Sequence, residues 1–500
     1  MQIRFRHQIR INLQGANMTN NSMESKSKIS YFVHDEVLIL LEHEAGLTNT
    51  KILDHVKNHP VVGKHQLFKS AEFKHVTTFK APEQGAFSVV KTTVDSKRDP
   101  HHHATQITSL DEALMNEHAS SIRSVSPNWI THVNQGGHPI GTGGPGTRPC
   151  APISNTYAYK YAIPSVATLM AKRPEGAVDV VILDTAPATL KGYKGISNPF
   201  GKWANHELLN DLLTTGCLKL TYADEIGISL PNDADYTIAD HNYDMSDHGL
   251  FIAGIVHSIA PHANIHLIQV LNDFGVGSAE GIAVAMNHIA QQQHPSPLIL
   301  NYSFTMRLPA AWHERYYDVA AYPARFIHEA RFRQRMGRVI SHPCDALKSE
   351  DALEVGAAGN YAVDGFRPEA EFPAALGSVI GVSSVTRKNQ PASYSNLADA
   401  PVTQGVATFG GERGLDGEPI KADSVLGVYT APTYPDGNTP NESGWALWSG
   451  TSFAAPVVTG VLALLRSSGV SSADAYESLL KNAKRVTHEG EDILEAVQGV

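Results

Sequence analysis

Beyond residue 152, short apolar runs alternate with stretches whose apolar residues recur at helical spacing. Val178-Asp179-Val180-Val181-Ile182-Leu183 reads as a buried strand, as do 264–271, 298–301 and 379–385. Periodicity predicts helices over 204–213, 248–257, 279–293, 315–335, 452–466 and 472–482. Strands and helices in alternation predict an α/β domain, a parallel sheet with helices on both faces.

The region before it has a different pattern. Glu36-Val37-Leu38-Ile39-Leu40-Leu41 predicts a strand, 50–58 a helix, and 73–80 and 87–94 two further strands. Ser109-Leu110-Asp111-Glu112 has the form of a capping box and opens a helix to about residue 120. Ile122 to Val133 closes with a last strand. The order strand, helix, strand, strand, helix, strand predicts a small ferredoxin-like α+β domain over 31–133. Residues 1–30 are polar and partly basic and are expected to be disordered or to precede the true start. Residues 134–152 are rich in Gly and Pro and read as a linker. Gly141, Gly143 and Gly146 spell GxGxxG, but no apolar strand leads into them and Pro149 follows, which argues against a dinucleotide loop. The α/β domain is expected over 153–485, with 486–500 as a tail.

Composition narrows the function. A net charge of −10 over 500 residues argues against nucleic acid or an anionic membrane as the main partner. No run approaches the roughly 18 apolar residues of a membrane span. The first 30 residues lack the apolar core of a signal peptide, and three cysteines (Cys150, Cys217, Cys344) allow one disulfide at most. Both features lean towards an intracellular protein without settling a compartment.

Chemistry concentrates at a few turns. In Trp448-Ser449-Gly450-Thr451-Ser452-Phe453-Ala454-Ala455-Pro456 a small polar turn runs into an apolar helix, placing Ser452 at a helix N-terminus where developing negative charge is favoured. A serine nucleophile needs a base, an orienter for that base and oxyanion donors. Asp184 follows a buried strand, His248 opens the helix of Asp247-His248-Gly249, and Asn360 ends Ala357-Ala358-Gly359-Asn360. Taken singly, each has an ordinary structural explanation: a helix cap, a strand-end turn, a core histidine.

Together these motifs resemble the subtilisin-like serine proteases, the subtilases, in the order Asp, His, Ser. The resemblance covers roughly 153–485 and implies Asp184, His248 and Ser452 as catalytic and Asn360 as an oxyanion donor. It implies a substrate cleft lined by Gly275, Gly277, Ser303, Phe304, Ala357, Ala358 and Gly359. It also implies serine endopeptidase activity through an acyl-enzyme, on protein or peptide substrates. The 31–133 domain resembles the family's inhibitor-like propeptide, so self-processing within 134–152 and intramolecular inhibition are expected. No cofactor or catalytic metal is expected; calcium enters only as a structural ion the family often holds, and no EF-hand-form loop is present.

Three departures from the family pattern stand out: Leu250-Phe251 after His248-Gly249, Ala186-Pro187 after Asp184-Thr185, and Thr305 after Phe304. The segment 306–353, with Arg331, Arg333, Arg335 and Arg338, exceeds what the family core needs and reads mainly as a solvated helix face. His101-His102-His103 reads as a solvated loop. Two alternatives remain at this level: a sedolisin-type serine-carboxyl protease, disfavoured by His248 and Asn360, and a non-catalytic binding protein on a subtilisin-like fold. GxSxG and HExxH are both absent.

Overall fold

The computed structural model describes residues 32–80, 85–94, 106–107, 109–111, 113–114, 121–133, 148–152, 176–194, 198–231, 243–292, 294, 296–306, 337–348, 351–362, 367–398, 405–414, 417–435, 439–488 and 491–497. The expectations for residues 1–30, His101 to His103, Gly141, Gly143, Gly146, the helix at 315–335 and Arg331, Arg333 and Arg335 lie outside the described residues.

The N-terminal region forms β1 (Phe32–Glu44), α1 (Asn49–Asn58), β2 (Glu72–Lys80), β3 (Gly85–Thr93) and β4 (Ile122–Val133). Residues 106–107, 109–111 and 113–114 are helical, so the helix is present but begins before Ser109, which lies within it and is not its cap. The strands pair antiparallel in the order β4-β1-β3-β2, the ferredoxin-like arrangement. The unbroken apolar run of β1 has a physical reason. Successive side chains of a strand point to opposite faces. Val37, Ile39 and Leu41 pack with Ile52 and Val56 of α1 in the domain's own core. Leu38 and Leu40 face the other way and, with Phe79, Val89 and Trp129, join the core of the larger domain. Both faces of the sheet are therefore covered.

The larger domain begins with β5 (Val178–Asp184), α2 (Glu207–Thr214), β6 (Leu218–Thr221), α3 (His248–Ile259), β7 (Ala263–Gln269), β8 (Val276–Ser278) and α4 (Ala279–Ala290). It continues through β9 (Leu298–Tyr302), β10 (Phe304–Met306), α5 (Arg338–Lys348), β11 (Leu353–Ala357), β12 (Ile380–Val385) and β13 (Val406–Phe409). It closes with β14 (Val425–Val428), β15 (Trp445–Trp448), α6 (Thr451–Ser467), α7 (Ser472–Asn482), β16 (Lys484–His488) and β17 (Glu491–Val497). Among the described residues the main sheet runs β16-β17-β13-β12-β11-β9-β5-β7-β6, parallel from β17 to β6. This is the expected α/β architecture.

Two boundaries differ from expectation. The stretch expected as a tail from 486 enters the sheet, because β17 pairs parallel with β13 and β16 folds back on it. The expected linker ends before 152, since Cys150 bridges Leu447 through Cys150 N–H to Leu447 O (3.0 Å) and Leu447 N–H to Cys150 O (2.9 Å). Both segments satisfy backbone groups on an existing strand edge, which composition alone does not reveal. Among the described residues no helix is long and apolar enough to cross a membrane, and no three His, Cys, Asp or Glu residues cluster as a metal site.

The two domains share a strand. β4 pairs with β1 as far as Trp129, and its end lies between β8 (Ile130 opposite Ser278) and β10 (Val133 opposite Phe304), antiparallel to both. Polar contacts flank it. Lys91 Nζ bridges Glu36 (3.1 Å) and Glu280 (2.7 Å), and Asn128 Oδ1 accepts the Glu280 N–H (3.1 Å) at the start of α4. Arg338 donates to the Arg123 carbonyl (2.9 Å), so this residue belongs to the domain contact and not to a solvated face. Next to it His342 of α5 stacks on Phe87 of β3, with centroids 4.3 Å apart, and its Nε2 is buried without a hydrogen-bond partner.

Burial, then Arg338 and Arg123, lower the His342 pKa to about 4, against an opposing pull from Glu42. The folded chain thus keeps a neutral imidazole that the unfolded chain protonates below its ordinary value of 6.5. Stability from this group is complete above that value and is lost as pH falls towards 4. Glu280, raised chiefly by burial, works in the opposite sense over the carboxylate range. Substituting His342→Gln is expected to shrink the loss of unfolding free energy between pH 7 and pH 5 by about 1–2 kcal/mol. Urea denaturation at the two pH values reads this; an unchanged difference removes His342 from the acid response.

Candidate active site

The site lies at the carboxyl ends of β5, β9 and β11, where ligands of parallel sheets bind. Asp184 is the last residue of β5 and fully buried. Its Oδ1 accepts the Thr185 N–H (2.7 Å) and lies 2.8 Å from His248 Nδ1. A carboxylate accepts, so Nδ1 carries the proton and Nε2 presents its lone pair. That Nε2 is buried with no hydrogen-bond partner. Trp448 meets the imidazole edge-on at 5.2 Å and Phe453 lies against it at 5.3 Å, which excludes water from two sides.

Thr185 explains how α3 begins here. Its hydroxyl accepts the Gly249 N–H (3.1 Å) and bonds the carbonyls of Met245 and Ser246 (both 3.0 Å). Gly249 is required by proximity: a Cβ there would stand 2.2 Å from the Thr185 carbonyl oxygen. The helix start is thereby pressed against the end of β5, which brings His248 to Asp184.

Ser452 is the second residue of α6, a helix buried along its whole length. Pro456 lacks the N–H that would bond the carbonyl four residues back. That carbonyl belongs to Ser452, and the Ser303 hydroxyl bonds it instead (2.8 Å). The Ser303 hydroxyl is itself held by Asn301 Nδ2 (2.8 Å), whose Oδ1 accepts from Thr459 (2.9 Å). The proline in the motif thus opens a carbonyl through which β9 locks the first turn of α6. The Ser452 hydroxyl donates to the Ser303 carbonyl (3.0 Å) rather than to His248.

Asn360 Oδ1 accepts both the Thr451 N–H (3.0 Å) and the Thr451 hydroxyl (2.9 Å), and that hydroxyl accepts the Gly359 N–H (3.2 Å). Thr451 therefore sets which end of the Asn360 amide is the acceptor, leaving the NH₂ as the donor end beside the start of α6.

The structure thus brings Asp184, His248, Ser452, Asn360, Ser303 and Gly359 together. Gly275 lies in the turn before β8 and Gly277 opposite Thr131; Phe304 is opposite Val133. Ala357 ends β11, and the Ala358 N–H bonds the Val382 carbonyl (3.0 Å). Sequence reasoning missed Thr185, Asn301, Thr451 and Thr459. Each is a small polar residue inside or beside a motif already singled out, which was the available signal.

Removing one oxyanion donor costs about 10²–10³ in turnover, a figure that comes from subtilisin itself and not from this geometry. Asn360→Ala is therefore expected to keep the fold, by circular dichroism, and to lose peptidase turnover on that scale. Near-normal turnover takes Asn360 out of the site.

The chain matches the subtilase family over residues 103–500. A 139-residue stretch is 34% identical to an extracellular protease of Xanthomonas campestris pv. campestris, covering 27% of this chain and 20% of that protein. The chain thus spans about a fifth of the length of that relative. Among solved structures it is similar to a lanthipeptide protease (20% identity, TM-score 0.44, 72% of this chain and 96% of that one). It is also similar to the prenylagaramide maturation protease PagA (22% identity, TM-score 0.41, 67% and 95%). With the family matched over well more than half its length, the chain belongs to the subtilases, a family of serine proteases.

Proposed function

We propose that this chain is a serine endopeptidase acting through Asp184, His248 and Ser452. The observation that carries it is the polarised histidine: Nδ1 tied to a buried carboxylate, Nε2 buried and unpartnered, and a serine hydroxyl at the adjoining helix start. In this reading Ser452 Oγ swings from the Ser303 carbonyl to Nε2 and attacks the scissile carbonyl as His248 takes its proton. The Asn360 amide and the N-terminus of α6 hold the oxyanion. His248 then returns the proton to the leaving amine, and water hydrolyses the acyl-enzyme by the same relay. Asp184 holds the tautomer and steadies the imidazolium.

The N-terminal domain is read as an inhibitory propeptide. Residues 131–133 lie between β8 and β10 as a third antiparallel strand, the pose an extended substrate would take. Val133 sits opposite Phe304, one residue from Ser303, whose carbonyl receives the Ser452 hydroxyl. A peptide substrate would use the same backbone edges, which favour extended chain of many sequences.

Wild type expressed beside Ser452→Ala, with N-terminal sequencing of the products, tests this. A cut within 134–152 in the wild type alone is expected. The same cut in both, or none in the wild type, contradicts self-processing.

A further inference from the structure

Phe251 departs from the family pattern, and the structure supplies its partner. The ring packs on Gly427 of β14, where a Cβ would stand 2.6 Å from it, and against Trp448 and Phe453. One helical turn earlier Asp247 reaches the same hairpin. It occupies the cap position of α3, yet its side chain makes no cap bond. Thr185 already serves the Gly249 N–H, so the carboxylate is available elsewhere. Its Oδ1 accepts the Thr430 hydroxyl (2.7 Å), and its Oδ2 accepts the N–H groups of Thr430 and Ala431, the latter at 2.8 Å.

The hairpin end is itself rigid. Asn441 Nδ2 bonds the carbonyls of Tyr429 (2.8 Å) and Ala431 (3.0 Å), and Tyr434 stacks on Tyr429. The partner strand β15 then runs through Trp448 into Ser452. Asp247 and Phe251 are thus two points, one turn apart, at which the helix bearing the base is registered on the hairpin that delivers the nucleophile. Burial pushes the Asp247 carboxyl up to about 6, while its bonds to Thr430 and Ala431 pull it down; above that value it is a carboxylate accepting three hydrogen bonds.

We propose that Asp247 is a positioning residue of the peptidase site, fixing the His248 imidazole relative to Ser452 through its bonds to Thr430 and Ala431. The proposal rests on the serine-peptidase reading above. Asp247 touches no reacting atom. It acts through the backbone of the residue that follows it, so its loss should appear in turnover and not in substrate affinity.

The test uses the full chain as wild type, Asp247→Ala, Asp247→Asn and Thr430→Val. It reads kcat and KM on a peptide anilide and the rate at which a fluorophosphonate labels Ser452, well below each variant's Tm. Misplacing a catalytic group by about 1 Å costs on the order of 10²-fold. Asp247→Ala is therefore expected to lower kcat and the labelling rate roughly tenfold to hundredfold, with KM within about threefold. Asp247→Asn should recover most of this, because its amide oxygen can accept both N–H groups while its NH₂ donates to the Thr430 hydroxyl. Thr430→Val should fall between them. A folded Asp247→Ala with kcat within about twofold of wild type, or with its loss confined to KM, overturns the proposal. If Asp247→Ala does not fold, an unchanged kcat in Thr430→Val overturns it. A wild type that takes no label contradicts the peptidase reading, and this proposal with it.

Discussion

Helix α6 is buried on every side, and the site follows from that constraint. It packs on α3 and on β5, β9, β11, β12 and β13, so its position is set by most of the larger domain at once. Burying an apolar side chain of this kind is worth roughly 1.5–3 kcal/mol, and the helix carries Val457, Val458, Val461, Leu462 and Leu465 inward. A helix held this firmly has little freedom at its N-terminus. Its first turn is then pinned by polar bonds from two neighbouring strands, Ser303 to the Ser452 carbonyl and Asn360 to Thr451. Ser452 thus stands on a fully buried helix whose first turn is held from both sides, the kind of support a preorganised site requires.

The N-terminal domain depends on the same body. Among the described residues its own helices cover one face of the sheet, and the other face would be an exposed apolar patch if it stood alone. Leu38, Leu40, Phe79, Val89 and Trp129 are covered only by docking. β4 then extends from that sheet to pair with β8 and β10, so this pairing and the burial of the sheet are one event. The polar contacts of Lys91, Asn128 and Arg338 set the register of the docked sheet more than the energy of docking, since partly exposed ion pairs contribute little.

Much of this was legible because long elements carry strong patterns. The helix at 472–482 and the strand from Ile122 to Val133 match in both bounds. The strands at 178–183 and 298–301 each extend by one residue. Short strands left weaker signals. β13, β14 and β15 have four residues each, too few to show a period. β8 and β10 have three each, and both pair with β4, which no local pattern could announce. The charged stretch with Glu491, Asp492 and Glu495 read as a tail, although β17 lies inside the sheet between β16 and β13. At the site, the motifs named Asp184, His248, Asn360 and Ser452, but not what holds them. The partners of Asp247 lie 183 and 184 residues downstream, so its role was visible only once the chain was folded.

The central claim is that Ser452 is a nucleophile activated by His248 and held in reserve on the Ser303 carbonyl. Mass spectrometry of the full chain after exposure to a fluorophosphonate tests it most directly. The account predicts a single adduct on Ser452 that disappears in His248→Ala while the fold persists. No adduct on folded wild type, or an adduct on Ser452 that survives loss of His248, would contradict it.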